Sequence, residues 1–133
     1  MITISTETAR WVTIVARATL VIAILAITYL ATSPMPPVSF SVWDKANHFI
    51  AFATLAFLAD YSFPKTGWRK PVFLYLFIYG VSLELMQWFT KYRLLDYADI
   101  ITNGIGLASY IAIRPALAYI AILNQLQTME NKR

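Results

Sequence analysis

The chain of 133 residues has no cysteine, a single histidine (His48) and charged side chains at only 14% of its positions. Without thiols there is no disulfide framework, no thiolate zinc site, no iron–sulfur cluster and no cysteine nucleophile. One histidine excludes a histidine-rich metal centre. The charge is also too thin to coat a soluble globule, since an ordinary domain is about a quarter charged. The net charge of +4 raises the question of nucleic acid. Its lysines and arginines are scattered and form no basic stripe along any helix, so no nucleic-acid partner is expected. What the chain does have is apolar surface, with 59% hydrophobic and 15% aromatic residues. That composition excludes disorder and points to a membrane as solvent.

Four apolar segments, at residues 12–31, 48–63, 71–89 and 100–122, approach the ~20 residues that cross ~30 Å of hydrocarbon. The second is short, and its helix is expected to begin earlier, near Val42. Of the 18 charged residues only Arg17, Asp60, Glu84 and Arg114 fall inside these segments. Ser33-Pro34-Met35-Pro36-Pro37 is an extended connection that cannot continue a helix. Pro64-Lys65-Thr66-Gly67 ends the second span, Pro71 suits the first turn of the third, and Pro115 bends or ends the fourth. No repeat or interdomain linker interrupts residues 1–133, which are expected to form a single integral membrane domain. The expected fold is all-α, a polytopic four-transmembrane-helix bundle.

Arg10, Lys65, Arg69, Lys70, Lys132 and Arg133 flank one side of this arrangement, against Lys45, Lys91 and Arg93 on the other. The positive-inside rule then places both termini in the cytoplasm. Ala31-Thr32-Ser33 resembles a signal-peptidase site, but Pro34 follows it directly and the apolar run is long enough to span. An uncleaved anchor is expected.

Because chain direction alternates between spans, polar groups distant in sequence meet at one depth. Asp44 and His48 are i,i+4 at the start of the second helix; Glu84 and Gln87 are i,i+3 near the end of the third. Asp96, Asp99 and Asn103 step by three and four into the fourth helix. Each set lies on one side of its helix, and lipid-facing polar stripes are costly, so these sides should face one another. Glu84, about 8–10 Å below the outer boundary by helical rise, is the strongest single candidate for function. Lys45, Lys91 and Arg93 lie in the adjoining outer loops. Asp44 and Asp96 also have the spacing of helix-capping carboxylates, Ser41-x-x-Asp44 and Asp96-x-x-Asp99.

Arg17, Asp60 and Arg114 lie toward the other end, where an ion pair between Asp60 and one arginine is expected, with snorkelling as the alternative for Arg114. Gly104, Ala108, Ala53, Ala56 and Ala59 are expected at close helix contacts. Trp11, Trp43, Trp68, Trp88, Tyr92 and Tyr97 read as interfacial anchors.

The ordered set Asp44-Lys45-x-x-His48-Phe49, Glu84-x-x-Gln87 and Arg93-x-x-Asp96-x-x-Asp99-x-x-x-Asn103-x-x-Gly106 resembles the VanZ-like family of small bacterial membrane proteins, over about residues 43–106. Many members have a further glycine four residues after the position of Gly106, where this chain has Tyr110. The resemblance implies a multi-pass protein of the bacterial inner (plasma) membrane with a role in the cell envelope. The family's founding member is associated with resistance to the glycopeptide antibiotic teicoplanin.

Three functions compete for the polar face. The first is a site for an envelope lipid or lipid-linked anionic headgroup. Lys45 and Arg93 would hold the anion, joined by Lys91; Gln87, Asp96, Asp99 and Asn103 would complete the pocket, and the apolar walls would take the tail. The second is an enzyme acting on a lipid phosphate, with His48 or Glu84 as general acid or base and Asp44 as orienting partner. No cofactor is evident in either case, although Glu84, Asp96 and Asp99 offer oxygen ligands for a divalent cation. The third is a non-enzymatic membrane subunit that presents this face to a protein partner.

Overall fold

The computed structural model describes residues 5–34, 42–90, 94–118 and 122–132. Five helices follow in chain order: α1 Thr6–Thr32, α2 Val42–Ser62, α3 Thr66–Phe89, α4 Tyr97–Ala118 and α5 Ile122–Asn131. No strand occurs among the described residues. Met35, Pro36, Pro37, Ser41, Lys91, Tyr92, Arg93 and Arg133, all named in the sequence reading, lie outside the described residues.

Local chemistry explains the helix ends. Ser5 caps α1 by accepting the Thr8 amide at 3.1 Å, satisfying one of the free N–H groups of the first turn. Ser33 closes the other end with its own N–H on Tyr29 O at 2.9 Å, directly before Pro34. Helix α3 starts at Thr66, so Pro71 sits within the helix rather than in its first turn. The carbonyl it fails to engage is that of Gly67, at the very start of the helix, where the loss is small. In α4 the helix runs through Pro115 and ends three residues later at Ala118. The tail then forms α5, which the sequence reading did not anticipate. Its Leu126 is buried, and with Met129 and Lys132 it faces Thr6, Ala9, Arg10 and Thr13 of α1 across a cavity of about 260 Å³.

Three helices are long and apolar enough to cross a membrane: α1 over Thr6–Thr32, α3 over Gly67–Phe89 and α4 over Tyr97–Leu117. Their outward residues are large and apolar, among them Ile22, Leu25, Leu74, Ile78, Ile101 and Ile113. Helix α2 does not reach the same apolar composition, because Asp44, Lys45, His48 and Asp60 all lie within its 21 residues. It is instead the central element, packed chiefly against α4 and α1. Phe52, Leu55, Ala56 and Ala59 form its buried stripe, meeting Leu20, Leu76, Leu83, Leu107 and Tyr110 of the other helices.

Lipid tails are as apolar as leucine, so helix association in a membrane depends on close contact and interhelical hydrogen bonds. One such close contact is at Gly106. A Cβ built there would stand 2.6 Å from Phe49 O and 3.2 Å from Ala53 N, so α2 and α4 touch backbone to backbone. Ala56 and Ala59 are buried as expected, whereas Ala108 is exposed and Gly104 meets only the Phe77 ring at 3.4 Å. The helical period explains the difference, since Gly106 and Tyr110 lie on the α2-facing side of α4 and Ala108 does not. Trp11, Trp43, Trp68, Trp88 and Tyr97 are all exposed near helix ends, as interfacial anchors require.

Candidate functional site

The alternating direction of α2, α3 and α4 brings the start of α2, the end of α3 and the start of α4 to one end of the bundle. Most of the polar residues expected there converge, among those the structure describes. Glu84, Gln87, Asp99 and Asn103 are all buried, none more than 5% exposed. Charged or amide groups at such burial carry a desolvation cost and require partners.

His48 is the centre of the arrangement. Its Nδ1 lies 2.9 Å from Asn103 Oδ1. A carbonyl oxygen only accepts, so Nδ1 carries the proton and donates. In the neutral ring this leaves Nε2 with a bare lone pair, pointing toward Asp99 Oδ2 at 3.7 Å. Glu84 Oε1 stands 3.7 Å from Nδ1. Both carboxylate separations exceed hydrogen-bond range, so the ring is oriented by Asn103 rather than by an acid. Gly80 on α3 makes room for this: a Cβ there would lie 3.2 Å from Asn103 Nδ2 and 2.9 Å from the Phe52 ring.

Lys45 is paired with two carboxylates. Its Nζ donates to Asp96 Oδ2 at 2.9 Å and to Asp99 Oδ1 at 3.2 Å. Asp96 also accepts the Ala98 amide at 2.8 Å, so it caps α4 and pairs with Lys45 at once. The Lys45 ammonium, and after it the Ala98 N–H, hold the Asp96 carboxyl below the usual carboxylate range. Gln87 turns away from the cluster and donates to Ala31 O of α1 at 3.2 Å. It ties the end of α1 to α3. Arg93, the expected anion holder, and Lys91 lie outside the described residues.

The trio suggested for a cation, Glu84, Asp96 and Asp99, is not the one whose ligand atoms converge. Asp44, His48 and Asp99 each offer one ligand atom, and these lie within 4.8 Å of one another. That spread suits one cation held at about 2–2.5 Å by oxygen and imidazole. A metal-binding histidine normally donates its second nitrogen to a neighbouring oxygen, which is what Asn103 accepts here. The sequence reading listed Asp44 and His48 as partners through their i,i+4 spacing. It placed Asp99 on the side facing them but chose Glu84 and Asp96 as its fellow ligands, because which atoms meet depends on the register between helices.

At the other end of the bundle Asp60 pairs with Arg114, as expected. Arg17 does not join it and donates instead to Ser62 O at 2.9 Å, with its guanidinium 5.7 Å from the centre of the Phe63 ring. Two further partners had no signal in the sequence. Arg69 Nε approaches Asp60 Oδ1 at 3.4 Å, and the Tyr110 hydroxyl donates to Oδ2 at 2.9 Å. Tyr110 thus has a definite task, donating to the buried Asp60 carboxylate.

A family model described as VanZ/LLP1 matches residues 2–119 of the chain. No curated protein and no solved structure matches it.

Proposed function

The chain belongs to the VanZ/LLP1 family, and on that premise we propose that its buried polar cluster binds the anionic headgroup of an envelope lipid at the outer face of the bacterial inner membrane. Asp44, His48 and Asp99 hold a divalent cation there, and the cation meets the headgroup. In this reading α1 to α4 all cross the bilayer and both termini are cytoplasmic, as the distribution of lysine and arginine favours.

The observation that carries the proposal is the convergence of Asp44, His48 and Asp99, whose ligand atoms lie within 4.8 Å of one another, with His48 held by Asn103 and its Nε2 3.7 Å from Asp99 Oδ2. The donor set favours a cation. Among the described residues Asp44, Glu84, Asp96 and Asp99 gather at this end, with Lys45 shared by Asp96 and Asp99, and Asp44 and Glu84 also have partners. An anionic group brought directly against such a cluster is repelled, at roughly 4 kcal/mol per close pair near a protein surface. A divalent cation reverses the sign of that interaction and supplies open positions for headgroup oxygens. The exposed apolar walls of α3 and α4 accommodate the tail.

Co-purification tests this. Native mass spectrometry of the wild-type protein should find an anionic lipid that is lost on EDTA treatment and absent from His48→Ala. Retention of the same lipids by wild type, His48→Ala and EDTA-treated protein would refute the proposal.

One feature favours a second reading, catalysis on a lipid phosphate. An unprotonated His48 Nε2, with Glu84 beside the other ring nitrogen, is equipped for acid–base work with Asn103 as orienting partner. Release of phosphate from dioleoyl phosphatidate, abolished by His48→Ala, would establish that reading; binding without turnover leaves the first.

A further inference from the structure

The opposite end of the bundle, where α1 and α3 begin and α2 and α4 end, has the reverse imbalance of charge. Arg17 from α1, Arg69 from α3 and Arg114 from α4 converge on the last turn of α2, between Asp60 and Phe63. That turn offers one carboxylate. Three guanidinium groups against Asp60 leave an excess of two positive charges. Asp60 is shared by Arg114, Arg69 and the Tyr110 hydroxyl, and its single charge offsets only one of the three guanidiniums.

The donors are short of acceptors too. Arg69 Nη2 and Arg114 Nη2 are buried and have no hydrogen-bond partner among the described residues, whereas Arg69 Nε has only the ionic approach of Asp60 Oδ1 at 3.4 Å. A guanidinium N–H buried without an acceptor is costly, and two neighbouring guanidiniums in that state need an anion with several oxygens. The site is also reachable: the Arg69 side chain is 27% exposed, and Arg17 is exposed on the outer surface of α1.

From this convergence we propose that Arg69 and Arg114, with Arg17 at the rim, bind a phosphate group carrying net negative charge. The phosphate is the headgroup of an anionic phospholipid in the adjacent leaflet or a soluble phosphate from the facing aqueous side. The planar forks of two arginines match phosphate oxygens pairwise, which a lysine pair cannot do. The site is separate from the Asp44–His48–Asp99 cluster and does not rest on the reading of that end.

The test uses full-length protein treated with EDTA, so that a cation-dependent lipid at the other end does not contribute. In nanodiscs of equal parts dioleoyl phosphatidylglycerol and dioleoyl phosphatidylcholine, native mass spectrometry should show phosphatidylglycerol retained preferentially. Arg69→Gln should reduce that preference about tenfold, the scale of one charge-assisted hydrogen bond. Lys70→Gln removes the same charge from the exposed neighbouring position and should change the preference less than about twofold, as a screened surface charge does. For the soluble source, inorganic phosphate should raise the melting temperature of delipidated wild type above chloride at equal ionic strength, and should not do so for Arg69→Gln. Either response supports the site and identifies its source. Equal losses from Arg69→Gln and Lys70→Gln, or no preference and no phosphate response in wild type, would overturn it. Should Arg69→Gln fail to fold, the two wild-type measurements decide alone.

Discussion

Asp96 performs two tasks with one carboxylate, accepting the Ala98 amide at the start of α4 and the Lys45 ammonium from α2. Because its folded pKa is depressed, it contributes stability above the unfolded value of about 4 and loses that contribution as pH falls through the folded value. Thermal unfolding in detergent between pH 6 and pH 3 should therefore show a decline in wild type that is smaller in Asp96→Asn. His48 permits a cleaner experiment, being the chain's one histidine. Its ¹⁵N spectrum in cation-free protein, recorded at a pH where the ring is neutral, should show the Nδ1–H tautomer, and Asn103→Ala should let the Nε2–H tautomer appear. At this scale the sequence pointed to the participants but not to their pairings. Spacing placed Asp44, His48, Asp99 and Asn103 on inward sides of helices. It carried no information on whether Lys45 faces an outside anion or two aspartates, because that depends on how far α2 and α4 slide past each other.

Helix pairing depends on Gly106, where α2 and α4 meet backbone to backbone. A methyl group at 2.6 Å from Phe49 O forces the helices apart, and overpacking of this kind costs about 1–3 kcal/mol. Gly106→Ala should thus lower stability. Gly104→Ala should leave it unchanged or raise it, since its Cβ meets only a ring at 3.4 Å and alanine gains up to about 1 kcal/mol in helix propensity. Paired detergent-unfolding curves distinguish these two outcomes. The helices themselves were well marked, as hydrophobic length and proline breaks located all four long ones. Less evident were α4 continuing through Pro115 and the short helix α5, whose polar sequence has no long apolar run. Small residues were misjudged for a related reason. Gly104 and Ala108 were selected by size, whereas contact is decided by which side of α4 faces α2.

Among the described residues, a cluster of carboxylates around His48 stands at one end of the molecule and an arginine cluster at the other, with apolar helix surface between them. This polarity requires an orientation, and the absence of cysteine makes it measurable. A single cysteine at Ser33 should react with a membrane-impermeant maleimide added outside intact cells, and one at Lys65 should react only after the cells are opened. The reverse pattern would invert the topology. The membrane setting was legible from composition alone. The two ends acquired distinct chemistry only when the helices were packed, because each cluster draws on three or more of them. The proposed cation centre is best tested by titrating Mn²⁺ into the purified protein and recording electron spin echo modulation. The account predicts one bound Mn²⁺ per chain coupled to a single imidazole nitrogen, with both binding and coupling lost in His48→Ala. Binding without nitrogen coupling and indifferent to His48→Ala, or no bound Mn²⁺ at all, would contradict it.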